Sequence, residues 1–254
     1  MINLQFEFTN MLDEFGYDIF NLKMIQDTKY FSDKRITYAL KTLTKTGSII
    51  KIEQGKYVRN NFSDEFVIGN FLAPDGGISY WSALNSYGLT EQFPNVVFVQ
   101  TAKRRGELIF RNLRYRFVKV DARKLAGYKE LGYGNHRYRM SDVEKTIVDC
   151  FDLPQHAGWY HETIKAFNNA NINPNKLIRY CKIIDNTSAT KRLGFLCEFL
   201  QKPKMDSFVN YALSLTKKSY SLFEIGGETT GNYNNRWKLI INLPADEILE
   251  IANS

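Results

Sequence analysis

Residues 20–59 read FNLKMIQDTKYFSDKRITYALKTLTKTGSIIKIEQGKYVR, and they are the most informative part of the chain. Within it, residues 21–27 predict a short helix with apolar contacts, and residues 28–31 predict the turn that follows. Ser32 is a good N-cap residue, and the carboxylate of Asp33 suits the positively polarised first turn of a second helix. The stretch therefore predicts two helices joined by a short turn.

The predicted second helix has an apolar side and a basic side. Ile36, Leu40 and Leu43 recur at helical spacing, so we expect them to point inward. The opposite side carries Lys34, Tyr38, Lys41 and Lys45. A narrow apolar seam with an outer face of lysine and tyrosine is typical of a recognition helix that enters a DNA groove.

A hairpin is predicted directly after this helix. Gly47 stands where a left-handed residue is expected to end the helix. Residues 49–59 then form two short alternating runs around a Gln-Gly pair, which predicts two strands and a tight turn. Residues 1–60, with a leading helix over residues 4–15, are therefore predicted to be a winged helix-turn-helix domain that binds DNA.

The predicted DNA contacts follow from this arrangement. They lie at the start and on the outer side of the second helix, and near the tip and return strand of the hairpin. They are Ser32, Lys34, Arg35, Tyr38, Lys41, Thr42, Lys45, Lys56 and Arg59. The alternative is a small helical subdomain that packs on the rest of the protein or docks another protein, and it stays open at this point.

The chain is basic, and its positive charge is concentrated in one segment. Of its 254 residues, 34 are Lys or Arg and 27 are Asp or Glu, which gives a formal net charge of +7. Residues 101–139 contain far more basic than acidic side chains. Such a field attracts phosphates, although alternating arginines on a solvated hairpin are a common alternative. The second candidate DNA-binding surface consists of Lys103, Arg104, Arg105, Arg111, Arg114, Arg116, Arg137 and Arg139.

Residues 61–254 are predicted to form an α+β domain, a small sheet with a helical subdomain inserted between its strands. Strands are predicted over residues 95–101, 108–110, 115–120, 222–225 and 236–242. Helices are predicted over residues 63–71, 79–87, 142–151, 159–169, 175–184, 189–201, 207–216 and 246–252. In the helix 189–201, three leucines (193, 196 and 200) are spaced to form a buried face, with Lys191 and Arg192 exposed.

One cluster, Asp142, Glu144, Lys145 and Asp149, has the residue types of a nuclease site. A restriction-type nuclease needs two carboxylates and a lysine that converge on Mg²⁺. Here Glu144 and Lys145 are adjacent on a predicted helix, so they point about 100° apart. Ser141 and Glu144 instead match a capping box, and we expect a capped helix with a solvated first turn.

No other arrangement of catalytic or metal-binding residues stands out. The histidines are dispersed, and the cysteines lack the Cys-x-x-Cys spacing of a zinc site. The glycines after residue 225 lack the Gly-Lys-Ser/Thr ending of a phosphate-binding loop. We therefore expect no catalytic residue, no metal and no cofactor, which means a protein that is not an enzyme.

The cysteines and the N-terminus favour a cytoplasmic protein. Cys150, Cys181 and Cys197 each lie in an apolar helical pattern without paired spacing, which is typical of reduced, buried thiols. The N-terminus lacks the basic-then-apolar pattern of a signal peptide, and no run approaches the roughly 18 apolar residues of a membrane span. We expect a soluble protein with no membrane partner.

Several motifs occur in order along nearly the whole chain. They are Gln54-Gly-Lys-Tyr57, Ser79-Tyr-Trp-Ser-Ala-Leu-Asn-Ser-Tyr-Gly88, the strand at 96–99, Met140-Ser-Asp-Val-Glu-Lys-Thr-Ile-Val-Asp149, Lys191-Arg-Leu-Gly-Phe-Leu196 and Arg236-Trp-Lys-Leu-Ile-Ile-Asn242. No single motif is diagnostic, but the ordered set resembles the AbiEi family of antitoxins. That family is the regulatory half of bacterial type IV toxin–antitoxin (abortive infection) systems.

The resemblance implies a winged domain that represses its own operon at inverted repeats in double-stranded DNA. It also implies a second domain that neutralises a nucleotidyltransferase-like toxin encoded alongside it, without requiring a stable complex. The family supplies no catalytic residues, and the density of arginine at 103–139 departs from its pattern. Two alternatives remain: a DNA nuclease guided by the winged helix, and a ligand-sensing repressor unrelated to toxins.

Overall fold

The chain is an α+β protein that divides into two compact units. The computed structural model describes residues 4–92, 95–217 and 219–254. The first unit comprises the residues up to Leu72 together with Glu130–Tyr138, and the second comprises Ala73–Lys129 with Arg139–Ser254. The first unit therefore extends past the predicted boundary after residue 60 and includes a segment from the middle of the chain.

The first unit consists of helices around a small antiparallel sheet. In chain order its elements are α1 (Leu4–Glu14), β1 (Ile19–Asn21), α2 (Leu22–Asp27), α3 (Asp33–Lys45), β2 (Ile49–Glu53), β3 (Lys56–Arg59) and α4 (Glu65–Leu72). The three strands are ordered β1-β3-β2. Phe8, Met11, Phe20, Ile36 and Leu40 lie in one apolar core, which fixes the inward side of α3.

Local sequence signals explain how these elements begin and end. The Asn21 side chain caps α2 by accepting a hydrogen bond from the Met24 backbone N–H at 2.9 Å. Ser32 occupies the N-cap position of α3 in an extended conformation, but its hydroxyl makes no capping bond. Gly47, just after α3, and Gly55, at the β2–β3 turn, have φ values of +75° and +74°, which only glycine adopts without strain.

The second unit begins with a mixed sheet and a short helix. Its elements are β4 (Gly77–Ile78), α5 (Tyr80–Ser86), β5 (Val96–Thr101), β6 (Leu108–Phe110) and β7 (Leu113–Lys119), together with β8 (Tyr128–Leu131) and β9 (Tyr138–Ser141), of which Glu130, Leu131 and Tyr138 belong to the first unit. The six strands are ordered β6-β7-β5-β4-β9-β8. The pairs β5–β7 and β4–β9 are parallel, whereas β6–β7 and β4–β5 are antiparallel.

A helical layer and a second small sheet complete this unit. They are α6 (Val143–Asp152), α7 (Trp159–Asn169), α8 (Pro174–Ile184), α9 (Thr187–Phe199), α10 (Asp206–Ser214), β10 (Ser221–Leu222), β11 (Asn232–Asn234), β12 (Leu239–Ile241) and α11 (Ala245–Asn253). The small sheet is ordered β10-β12-β11. Its strands confirm the predicted return to strand near the end, and β11 is an additional strand. These strands form a sheet of their own, so the prediction of a single sheet with a helical subdomain inserted between its strands is wrong.

Helix α9 is buried on every side over much of its length, which corrects one prediction. Leu193 and Leu196 are fully buried, as expected from their spacing. Leu200, expected on the same face, is the C-cap residue and is only partly buried. Lys191 and Arg192, however, are each only 3% exposed rather than on a solvated face. The Lys191 side chain donates to the Lys238 carbonyl and the Arg192 side chain to the Leu222 carbonyl. Helical periodicity does not indicate partners this far away in the sequence.

Candidate nucleic-acid interface

The outer face of α3 is the most regular basic surface of the first unit. Lys34, Tyr38, Lys41 and Lys45 are all exposed. Their spacing of four, three and four residues places them on one side of the helix. Ile36, Ala39, Leu40 and Leu43 occupy the buried side. The sequence therefore predicted both sides of this helix correctly, because packing on the core leaves one face in solvent.

These outer side chains are unengaged in the described part of the chain. The three lysines make no ion pair there, although basic and acidic residues are equal in number over residues 4–72. The Tyr38 side chain is 63% exposed. A rigid helix that presents unpaired ammonium groups and an exposed aromatic ring can contact phosphates and base edges.

The other residues predicted on α3 have partners or lie at its edge. The Arg35 Nη2 lies 2.6 Å from a Glu7 carboxylate oxygen, and its guanidinium lies 5.0 Å from the Phe31 ring centre. The Thr42 hydroxyl donates to the Tyr38 carbonyl at 2.9 Å. Ser32 is exposed at the start of the helix. The Arg35 ion pair is exposed and therefore weak, so it can be exchanged for a phosphate contact.

Lys56, predicted as a DNA contact, instead holds α4 in place. Its Nζ donates to the carbonyls of Phe71 and Leu72 at 3.2 and 3.1 Å, and it lies 2.8 Å from the Glu53 carboxylate. A cation at the last carbonyls of a helix is stabilising. The Lys56 ammonium is thus used inside the unit, and we leave it out of the candidate interface.

Arg59, also predicted as a DNA contact, ties β3 to α1. Its guanidinium lies 2.7 Å from the Asp13 carboxylate and donates to the Thr9 carbonyl at 3.1 Å. The side chain is only 16% exposed. Arg59 is therefore a structural residue of this unit. Its partners stand far away in the sequence, so its hairpin position alone could not identify this role.

Lys23 and Lys51 are exposed lysines of the first unit that the sequence analysis did not include among the candidate DNA contacts. Lys23 lies in the first turn of α2, and Lys51 lies on β2. The sequence indicated that both would be exposed, since Lys23 lies in the first turn after a capping asparagine and Lys51 alternates with isoleucines. In a helix-turn-helix, the first helix crosses the DNA backbone and can donate to phosphates.

The second basic block centres on the β6–β7 hairpin. Arg111 and Asn112 form its turn with φ values of +51° and +62°, the conformation of a two-residue type I′ turn. Lys103, Arg104 and Arg114 are exposed. The predicted hairpin is therefore present, with an exposed arginine at its tip and exposed basic side chains in β7 and the preceding loop.

Several arginines of this block have partners within the same unit. Arg114 and Arg116 both contact the Glu107 carboxylate, the former at 3.7 Å. The Arg105 guanidinium lies 4.4 Å from the Phe117 ring centre. Half-buried Arg139 donates to the Pro74 carbonyl and stacks on Tyr128.

Arg137 belongs to the first unit, where it pairs with Glu130 at 3.0 Å. The predicted set is therefore not one surface. Its exposed part is the loop and hairpin carrying Lys103, Arg104, Arg111 and Arg114.

The acid–lysine cluster of α6 is interior, which corrects the expected solvated first turn. Lys145 and Asp149 are 0% and 1% exposed, and their side chains lie 2.5 Å apart. Gln100 joins this pair to two tyrosines, because its amide donates to the Tyr80 hydroxyl and its carbonyl accepts from the Tyr128 hydroxyl. Burial raises the pKa of Asp149, while the Lys145 ammonium opposes that change.

The other acids of the cluster hold α6 to α8. Asp142, rather than Ser141, caps α6 by accepting from the Lys145 N–H, and it also accepts from the Tyr180 hydroxyl at 2.8 Å. Glu144 accepts from the Asn173 N–H at 2.9 Å. The four side chains thus join elements of the interior and do not line an open site. Among the described residues, no three or more His, Cys, Asp or Glu side chains are grouped to hold a metal ion.

The motif Lys191–Leu196 on α9 holds the C-terminal segment by hydrogen bonds. The Lys191 ammonium donates to the carbonyls of Ser219 and Lys238, and the Arg192 guanidinium donates twice to the Leu222 carbonyl. Glu198 accepts from the Trp237 indole at 2.7 Å. Most residues that carry the family resemblance in this region therefore have interior contacts.

Comparison with solved structures finds a likeness over almost the whole chain. The crystal structure of the RV2827C protein from Mycobacterium tuberculosis matches with a TM-score of 0.65 at 14% sequence identity, covering 99% of this chain and 95% of that chain. A likeness at this identity shows the fold alone. No protein-family model and no curated protein matches the chain. Within the described residues, no helix is both long and apolar enough to cross a membrane.

Proposed function

We propose that this protein is a DNA-binding antitoxin that represses its own operon through a winged helix and neutralises a nucleotidyltransferase-like toxin through its second unit. The proposal of DNA binding is supported above all by the outer face of α3. There Lys34, Tyr38 and Lys41 are exposed, and their side chains make no ion pair or hydrogen bond within the described part of the chain. The element order α1-β1-α2-α3-β2-β3 supports a winged helix-turn-helix, in which α3 is the recognition helix and β2–β3 is the wing.

In this proposal α3 enters the major groove with its N-terminal half toward the bases. Lys34 and Lys41 contact phosphates or guanine edges, and Tyr38 contacts a base edge or a thymine methyl group. Ser32 and Arg35 lie at the start of the helix, where the first turn favours a phosphate. An inverted-repeat operator offers two equivalent half-sites, so we expect two copies of the chain on each operator.

The exposed part of the second basic block adds a sequence-independent contact. Lys103, Arg104, Arg111 and Arg114 are placed to neutralise phosphates, and each such contact adds about 0.9 to the slope of log affinity against log salt. Replacing Arg104 and Arg111 with Glu should weaken binding to operator and to random duplex DNA about equally. A Tyr38 substitution should change sequence preference and leave the slope nearly unchanged.

The antitoxin half rests on the resemblance to the AbiEi family. The resembling motifs of the second unit lie in its interior network and around α9, so neutralisation depends on that unit being folded. The partner is a toxin encoded next to this gene, and neutralisation does not require a stable complex with it. The proposal places the protein in the cytoplasm, with no cofactor and no catalytic role.

Binding of the full chain to its own upstream DNA tests the repressor half. The double variant Lys34→Ala/Lys41→Ala should lose operator binding in a gel shift at physiological salt while its melting temperature stays that of the parent. The matched control Lys204→Ala/Lys217→Ala removes two exposed lysines elsewhere and should bind like the parent. Unchanged affinity of the Lys34/Lys41 variant would exclude α3 as the recognition helix.

Co-expression with the neighbouring gene tests the antitoxin half. Cells that express the toxin should grow only when this protein is present, and the Lys34→Ala/Lys41→Ala variant should still rescue them. A neighbouring gene without toxicity would favour the ligand-sensing repressor instead. Cleavage of DNA by the purified protein with Mg²⁺ would favour the nuclease alternative.

A further inference from the structure

A groove lies near the end of the second unit, between the loop after β10 and the start of α11. Its volume is about 570 Å³, and its lining includes Glu224, Gly226, Glu228, Asn242, Pro244 and Glu247. Glu228 and Glu247 are exposed, and Glu224 is half-buried. We call this groove, with its three carboxylates, the acidic groove.

The acidic groove has a charge opposite to that of the whole protein. The formal net charge of the chain is +7, yet residues 219–254 carry more acidic than basic side chains. None of the three carboxylates has an ion-pair partner in the described part of the chain. Burial raises the pKa of Glu224, and repulsion by the nearby Glu247 carboxylate raises it further. A cation entering the groove would relieve this repulsion between the two carboxylates.

An exposed aromatic side chain adjoins the groove. Trp159 is 51% exposed, and its ring lies within 3.5 Å of the Cβ position built on Gly226, which lines the groove. Ile225, which precedes Gly226 in the same loop, is 40% exposed. Trp159 also has a φ of +63°, which is unfavourable for a side chain of this size. Tryptophan is enriched among residues that dominate the energetics of protein interfaces.

We propose that the acidic groove and the apolar patch of Trp159 and Ile225 form a docking surface for a Lys/Arg-rich segment of a partner protein. The unpaired carboxylates give charge complementarity to lysine and arginine side chains. The Trp159 ring offers a face for an arginine or an aliphatic anchor next to those charges. Nucleic acid does not fit this surface, because carboxylates repel phosphates. The inference stands independently of DNA binding by α3.

The test uses the full chain and a fluorescein-labelled peptide of Lys and Arg around one central Leu, read by fluorescence anisotropy. The control peptide has Glu in place of every Lys and Arg. The test variants are Glu228→Gln/Glu247→Gln and Trp159→Gly. The matched controls are Glu91→Gln, whose side chain is 89% exposed in another loop, and Tyr133→Ala, a 77% exposed aromatic residue of the first unit.

We expect the basic peptide to bind the parent. It should bind each test variant about tenfold more weakly, because each variant lacks an anchor of the interface. Trp159→Gly should keep the parent's melting temperature, because glycine tolerates a positive φ. The proposal is overturned if the parent does not bind the basic peptide or binds the acidic one as well. It is also overturned if the stable variants bind like the parent, or if the control variants weaken binding equally.

Discussion

Gly194 lies in close contact with the Trp237 ring in the second unit. A Cβ atom on Gly194 would lie 2.3 Å from the Trp237 ring and 2.9 Å from the Ala212 Cβ. Trp237 is 1% exposed, so its ring is enclosed by the protein interior. The absence of a side chain at residue 194 is what lets α9 approach the C-terminal segment.

Gly194→Ala should therefore destabilise the protein even though alanine favours a helix. We expect a loss of about 1–3 kcal/mol in the free energy of unfolding, the usual cost of overpacking. Urea denaturation followed by tryptophan fluorescence measures it. The matched control is Gly106→Ala, since nothing lies within 4 Å of the Cβ position there and its stability should not change. Equal stability of both variants would contradict the described packing.

Glu198 makes the stability of the fold around the same segment depend on pH. Hydrogen bonds from Arg236 lower the pKa of its carboxyl below the usual 4.5, with a further contribution from the Trp237 indole. A lowered folded-state pKa means that the ionised form stabilises the fold above the unfolded value of about 4.3, and that this stability is lost as pH falls through the folded-state pKa.

The stability of the parent should thus fall on acidification more steeply than that of Glu198→Gln, whose amide does not titrate. Unfolding free energies measured from about pH 7 down to about pH 3 should differ most at neutral pH and converge at low pH. A difference between parent and variant that stays constant over this range would mean that Glu198 has an ordinary pKa.

Helix α3 and strand β3 each carry a lysine, but only the lysine of β3 is bonded to another described element of the first unit. Lys41 is exposed on α3, whereas Lys56 on β3 holds the last carbonyls of α4. Both were predicted as DNA contacts from sequence position alone. Their surroundings separate a binding role from a structural role.

Lys56→Ala should lower the free energy of unfolding of the first unit by about 1–3 kcal/mol, because the α4 carbonyls lose a charged donor. Its DNA affinity at a temperature where the unit stays folded should be close to that of the parent. Lys41→Ala should weaken DNA binding and leave stability unchanged. Thermal denaturation and gel shifts on both variants measure this, and a stable Lys56→Ala that fails to bind DNA would return Lys56 to the interface.

Short-range sequence patterns predicted the helices and strands better than they predicted the partners of individual side chains. The buried and exposed sides of α3 and the β6–β7 hairpin followed from periodicity and turn residues within one element. The roles of Lys56, Lys145 and Lys191 depend on partners such as the α4 carbonyls and Gln100, which stand far away in the sequence. Helical periodicity carries no record of such partners, so these residues were expected at the surface or in the DNA interface.

The two units of the protein are not successive stretches of sequence. Residues 130–138 leave the second unit and belong to the first. There the His136 ring lies 2.9 Å from the Asp18 carboxylate, and the Asn135 amide donates to the Phe15 carbonyl at 2.6 Å. A cut after residue 60 or 72 therefore does not separate the units cleanly.

A fragment that begins at Ala73 should stay folded but lose order in this segment. Without the residues that contact them, the amides of 130–138 should exchange with solvent much faster than in the full chain. The amides of β5 and β7 should keep their protection, because their partners lie within the second unit. Hydrogen exchange with mass spectrometry distinguishes these regions, and unchanged protection of residues 130–138 would contradict the assignment of this segment to the first unit.

A cleavage reagent tethered to α3 tests whether this helix lies in a DNA groove, as we propose. Cys150, Cys181 and Cys197 are free but buried, and burial raises the pKa of each thiol, to about 12 for Cys181 and Cys197. A cysteine introduced at an exposed position is therefore the most reactive thiol in the chain and can carry an iron chelate.

The iron chelate on Tyr38→Cys should cut operator DNA at a few discrete positions within each half-site. The control is the same chelate on Leu249→Cys, a 44% exposed residue of α11, which should leave the DNA intact. If the Tyr38→Cys conjugate binds the operator but does not cut it, or cuts no more specifically than the Leu249→Cys conjugate, then α3 is not the recognition helix.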